Sequence, residues 1–72
     1  MPRKRKDNLD LQMRRKRLRV LQHEVAERLG LARDADVSEF ELGKRATLPH
    51  GKGRADYERV LDQLEAERTS AA

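Results

Sequence analysis

The 72-residue sequence predicts an all-α fold: a compact domain of four to five short helices arranged around a helix-turn-helix unit. Three observations carry that expectation. Between Leu21 and Arg45 the chain reads as a short amphipathic helix, a glycine turn, a second short helix and a glycine stop. From Arg54 to about Arg68, the residues Tyr57, Val60, Leu61 and Leu64 stand at i, i+3, i+4 and i+7, one face of a further helix. The chain is 36% hydrophobic with one Tyr and one Phe. Its core is therefore thin and built from Leu, Val and Ala, which short helices with short connections bury most readily.

A chain of this length forms one domain and buries only about 60% of the surface its unfolded form exposes. The absence of cysteine excludes disulfides and thiolate metal sites and fits a reducing compartment. No apolar run approaches the roughly 20 residues that span a bilayer, and the basic N-terminus leads into no signal-like apolar region. The expectation is a soluble, cytoplasmic protein with no membrane contact.

Charge is unevenly distributed. Residues 1–19 hold nine bases against two acids, a net of +7, while residues 20–72 hold eight bases against eleven acids, a net of −3; the whole chain carries +4. A modest total thus hides a concentrated footprint for polyanions.

Residues 1–6 (MPRKRK) lack apolar periodicity and read as a basic arm ahead of a domain at 7–68 and a frayed tail at 69–72. Arg3, Lys4, Arg5 and Lys6 either solubilise the chain or follow phosphates and enter a minor groove. Asp7 or Asn8 can cap a first helix running to about Leu18. Its apolar positions Leu11 and Leu18 lie seven apart with Arg14 and Arg15 between them, a poor stripe for an isolated helix. A buried arginine in that gap requires a carboxylate partner. Leu9 and Met13 make a weaker second pair, exposed or turned to another chain. Val20 closes this helix onto the next.

In the second helix Val25, Ala26 and Leu29 form the apolar stripe, and Ala26 is small enough for a steep helix crossing. Gly30 follows where a chain leaving a helix takes positive φ. Val37 and Phe40 restart the helical spacing, and Gly43 with Lys44 and Arg45 ends it. Asp34 and Asp36 are both competent N-caps, and Asp36 with Glu39 matches a capping box. With Val37 and Phe40 inward, steps of about 100° leave Ala35, Ser38, Glu39 and Leu42 outward. A helix so presented can enter a DNA groove. Glu39 can accept from a cytosine amine, and Ala35 or Leu42 can touch a thymine methyl. Arg33 is the one base in this acidic helix. Gln22 and its neighbour His23 stand at the start of the second helix, where donors meet phosphates or simply face solvent.

Gly43 to Arg54 is the longest irregular stretch, with Pro49, three glycines and the bases Lys44, Arg45, Lys52 and Arg54. It reads either as a flexible linker or as a phosphate clamp beside the reading helix. His50 has no ligand partner at metal-binding spacing. In the last helix Asp56 and Glu58 lie in the first turns, the end that favours acids. Its apolar face caps the core, and part of it, with Ala66 or Leu9, is available for a dimer contact.

Residues from about Leu11 to Phe40 resemble the phage repressor and Cro-type helix-turn-helix family. The family places an arginine in the first helix, a glutamine opening the second, A-x-x-x-G across the turn and I-S-x-I-E-x-G closing the third. Here these read Arg15, Gln22, Ala26 to Gly30, and Val37 to Gly43. The family's core positions fall on Leu11, Leu18, Val20, Val25, Leu29, Val37 and Phe40, all apolar. The resemblance implies an ion pair between Arg15 and Glu41. It also implies a bacterial or phage origin, a proline before the last helix (Pro49) and homodimers on paired half-sites. Two features depart from the family pattern. The spacing from Gly30 to Val37 is one residue longer, so the turn is enlarged or the third helix starts late, and Leu21 offers no cap to the second helix.

Enzyme chemistry finds little support: there is no cysteine, His23 and His50 lie 27 positions apart in different local contexts, no phosphate loop or paired-carboxylate pattern stands out, and no catalytic, metal or cofactor residue is assigned. The expected function is a small sequence-specific double-stranded DNA-binding transcriptional regulator. Its third helix, about residues 33–42, lies in the major groove, while the arm, Gln22 and the loop hold the backbone. The expected partners are double-stranded DNA and a second copy of the chain, with no small-molecule substrate. The alternatives are a protein-interaction adaptor on the same fold, using the acidic third helix, and a non-specific nucleic-acid binder driven by the arm.

Overall fold

The helices of this chain stop where the backbone turns left-handed. A computed structural model describes residues 7–70. Its α-helices are α1 at Leu9–Arg17, α2 at Gln22–Leu29, α3 at Asp34–Glu41 and α4 at Arg54–Ser70, with one 3₁₀ turn at Pro49–Gly51. Gly30 (φ 73°) and Gly43 (φ 79°) follow α2 and α3. Around each, two backbone bonds close the helix end. Leu31 N–H reaches Ala26 C=O (2.8 Å) and Gly30 N–H reaches Glu27 C=O (3.1 Å); Lys44 N–H reaches Glu39 C=O (2.9 Å) and Gly43 N–H reaches Phe40 C=O (3.2 Å). This 6→1 and 5→2 pairing is the Schellman motif.

α1 ends with the same pairing but without glycine. Val20 N–H bonds Arg15 C=O and Arg19 N–H bonds Lys16 C=O, both at 3.0 Å, and Arg19 carries φ 60°. An L-residue there costs about 1–2 kcal/mol. Burial of Val20 directly after the turn offsets that strain.

The apolar positions expected from the spacing form the core: Leu11, Val20, Val25, Ala26, Leu29, Val37 and Phe40 from the first three helices and their joints, and Tyr57, Val60, Leu61 and Leu64 from α4. Leu18 packs on this cluster but is only partly buried. Leu31 and Leu48, which lie outside the helical stripes, are buried too. α2 packs against α3 and α4, and α1 against α4 and α3.

Of the readings left open or expected at the helix ends, one is resolved and two differ. α3 begins at Asp34, so the joint with α2 is the four residues Gly30–Arg33 and the helix does not start late. Asp36 therefore sits at the third helical position rather than capping it; Arg33 holds the N-cap position, and the Asp36–Glu39 capping box is absent. α4 runs to Ser70, two residues past the expected end, because Thr69 and Ser70 supply no stop signal. Residues 1–6 and 71–72 lie outside the described residues. No helix among those described is long and apolar enough to cross a membrane.

Candidate nucleic-acid interface

α3 is fixed at its C-terminal end by a buried polar cluster centred on Glu41, which is fully buried. Arg15 donates to it from Nε to Oε2 at 2.7 Å and from Nη2 to Oε1 at 3.3 Å. A third Arg15 nitrogen, Nη1, donates to Val20 C=O at 2.9 Å. Gln22 and Gln12 donate their amides to Oε1 at 3.2 and 3.3 Å, and the Tyr57 hydroxyl donates to Oε2. All four helices thus converge on one carboxylate. Both charges of the pair are satisfied, the condition under which burial of an ion pair is tolerated. Burial, reinforced by the Glu41 bond, pushes the Tyr57 phenol well above its usual range.

Asn8 fastens the same end of α3 from outside. It holds the N-cap position of α1 without bonding its side chain to that helix. Its backbone N–H reaches Glu41 C=O (2.9 Å) and its amide reaches Phe40 C=O (3.0 Å) instead. The carbonyls it meets are those a helix C-terminus leaves without partners.

With that end held and Val37 and Phe40 in the core, the expected outward positions of α3 do face solvent. Ala35 and Leu42 are exposed, and Ser38 and Glu39 are half-buried. At the other end of α3, Asp36 is buried with its carboxylate between two arginines. Arg33 Nη2 donates to Oδ1 at 2.9 Å, and Arg45 Nη1 donates to the same oxygen at 2.7 Å. The Arg33 hydrogen bond, working against burial, holds the Asp36 carboxyl below the usual carboxylate range, and the Arg45 charge adds to it. Arg45 also comes within 3.8 Å of Glu39. The acidity of the helix is thereby largely internal. Asp36, Glu39 and Glu41 each have an arginine, and Asp34 remains as an exposed acid with no ion pair among the described residues.

No protein-family model, curated protein or solved structure matches this chain. The site stands on its own geometry.

The expected contact residues do not gather in one place. Arg33, Arg45 and Glu39 are brought together around Asp36, beside the exposed Ala35 and half-buried Ser38. Gln22 belongs to the Glu41 cluster: its amide nitrogen is bonded inward to Glu41 Oε1 at 3.2 Å, not free at the helix start. His23, next to it, is exposed. At that helix start Glu24 accepts the Leu21 N–H at 3.2 Å, which partly replaces the missing cap. Lys44 is exposed and Lys52 half-buried, and neither has an ion pair among the described residues. Arg54 stands where the last helix was expected to begin, and it is not free as a phosphate clamp. It opens α4 and pairs with Asp10 of α1, with Glu58 at 3.1 Å, and with Asn8 Oδ1 at 3.1 Å, so its position is explained by joining two helices. Arg3, Lys4, Arg5 and Lys6 lie outside the described residues.

Three residues that hold this end of α3 were not legible as site residues: Asn8, Gln12 and Tyr57. A signal existed for Tyr57, since a buried tyrosine hydroxyl demands a polar partner. For Gln12 the signal was its place three positions before Arg15, a neighbouring position on the helix surface.

Proposed function

We propose that this protein is a sequence-specific double-stranded DNA-binding transcriptional regulator of the phage repressor and Cro type, acting in the cytoplasm as a homodimer. The observation that carries the reading is the Arg15–Glu41 pair. It is the ion pair that the resemblance implies, and it anchors the end of α3 while Ala35, Ser38, Glu39 and Leu42 are left on the outward flank. A helix held rigidly by one end with small and hydrogen-bonding side chains outward suits major-groove readout. Glu39 accepts from a cytosine amine in this reading, Ala35 meets a thymine methyl, and Ser38 bonds either edge. Arg33 and Arg45 reach phosphates flanking the groove. Lys44, Lys52 and the arm residues add sequence-independent affinity.

The test is selection of bound duplexes from a random pool at physiological salt, followed by titration of the winner and of random DNA. A regulator of this kind prefers its site by about 10³-fold or more. Enrichment of no sequence refutes the reading. Glu39→Ala then assigns the reading helix: a loss of discrimination at one base pair supports base readout. Uniform tightening on all duplexes favours instead an adaptor whose acidic helix faces a basic partner.

A further inference from the structure

The ion pairs of the fold redistribute the positive charge available to a polyanion. Among the described residues, every arginine except Arg17 and Arg19 has a carboxylate oxygen within 3.6 Å. Arg14 is spent on Asp62 and Glu65 of α4 at 2.6 and 2.8 Å, and Arg28 on Glu67 at 2.6 Å. Arg33, Arg45 and Arg54 are matched as described above. The unmatched bases of the described chain are Lys44 and Lys52 in the loop, and Lys16, Arg17 and Arg19 at the corner between α1 and α2.

From this we infer that Lys16, Arg17 and Arg19 form a second phosphate-binding patch, which takes the backbone of one strand of duplex DNA. The inference rests on the DNA-binding reading above and extends it to residues outside the arm, the loop and the reading helix.

Three features support the patch. All three side chains are exposed, and they fall within four positions of the sequence. The corner that carries them is rigid: it is closed by the two 3.0 Å backbone bonds at Arg19 and Val20, and it is pinned from beneath by Arg15 Nη1 on Val20 C=O at 2.9 Å. Cations presented on a fixed bend lose less entropy on meeting a phosphate than cations on a mobile segment. The third feature is direction. Arg14 and Asp10 turn toward α4, whereas Gln12 reaches across to Glu41 at the end of α3. Lys16 lies one helical turn beyond Gln12 and so shares the flank that adjoins α2 and α3, whereas Arg17, seven positions after Asp10 and three after Arg14, borders the flank toward α4; the patch therefore runs across the end of α1.

The occupant is a duplex backbone rather than a single strand. Single-stranded binding needs aromatic platforms for the bases. The only aromatic rings in this chain besides its two histidines, Phe40 and Tyr57, are both buried.

The test uses the full chain and its Lys16→Gln/Arg17→Gln/Arg19→Gln variant, with helicity and melting compared first. Because all three side chains are exposed, the variant is expected to fold; Lys16→Gln/Arg17→Gln serves as a second variant that leaves the Arg19 turn untouched. Dissociation constants for a fluorescent duplex are measured between about 50 and 200 mM salt. The expected result is a salt-dependence slope lower by about two to three units in the triple variant and by one to two in the double, with sequence preference unchanged. A parent that binds duplex DNA with a slope the variants leave unaltered overturns this inference alone. Equal and equally weakened binding of the matching single strand overturns the duplex assignment. A parent that binds no duplex overturns both this inference and the proposed function.

Discussion

Arg15 and Glu41 meet at 2.7 Å with both side chains out of solvent, and through them the first helix holds the end of the third. The pair forms only if α1, α2 and α3 assemble together, since Gln22 and Val20 C=O complete its hydrogen bonds. It sets the orientation of the surface that α3 presents.

Breaking this pair from one side leaves a buried charge. Glu41→Gln is expected to cost about 3–5 kcal/mol, enough to unfold much of so small a domain. The double replacement Arg15→Met/Glu41→Leu removes both charges and should cost less than the sum of its single changes by about 1–3 kcal/mol. Urea denaturation of the four proteins measures the coupling. Strict additivity would mean that the pair contributes nothing.

Two substitutions at left-handed positions should act in opposite directions. Arg19→Gly relieves the strain at φ 60° and is expected to raise stability by up to about 1 kcal/mol, while weakening DNA binding by removing a cation. Gly30→Ala should lower stability by about 1–2 kcal/mol. A Cβ at Gly30 meets nothing within 4 Å, so that cost is conformational, not steric. Thermal midpoints, moving roughly 4–8 °C per kcal/mol in a domain of this size, give both values.

Alkaline stability should report on Tyr57. Burial and the Glu41 bond raise its phenol pKa in the folded chain. The stabilisation is therefore fully present below the unfolded tyrosine pKa of about 10 and is lost as pH rises beyond it toward the folded value. Tyr57→Phe should flatten that decline. The comparison is a denaturation series from about pH 8 to 11.

Asp36 holds Arg33 and Arg45, the two bases proposed to meet phosphates. Its pKa is lowered in the folded chain, so its contribution to stability is present above the unfolded value near 4 and is lost as pH falls through the folded one. Asp36→Asn removes the shared negative charge without removing volume. Duplexes of every sequence should then bind more tightly, and the ratio of specific to random binding should narrow. Competition titrations read both quantities.

Most of the fold was legible because it rests on local rules. The apolar spacing of Val25, Ala26 and Leu29 and of Tyr57 to Leu64 placed the core, and Gly30 and Gly43 marked helix ends by the one property only glycine supplies without strain. What escaped was set by tertiary competition. Arg19 turns left-handed with no glycine to announce it. Asp36 looked like a cap but is claimed by two arginines. Arg54 looked like a loop base but is claimed by Asp10 and Glu58. Spacing shows which residues lie on one helix face, whereas the choice of partner for a long charged side chain is made between helices. The Arg15–Glu41 pair was expected only through the family resemblance, since its members lie 26 positions apart.

The most direct test is a titration of the full chain, at physiological salt, against the duplex recovered from a random pool and against unrelated DNA of equal length. A ratio of about 10³ or more, reduced by Glu39→Ala at a single base pair, is the predicted result. Equal affinity for the two duplexes, with Glu39→Ala tightening both, would contradict it.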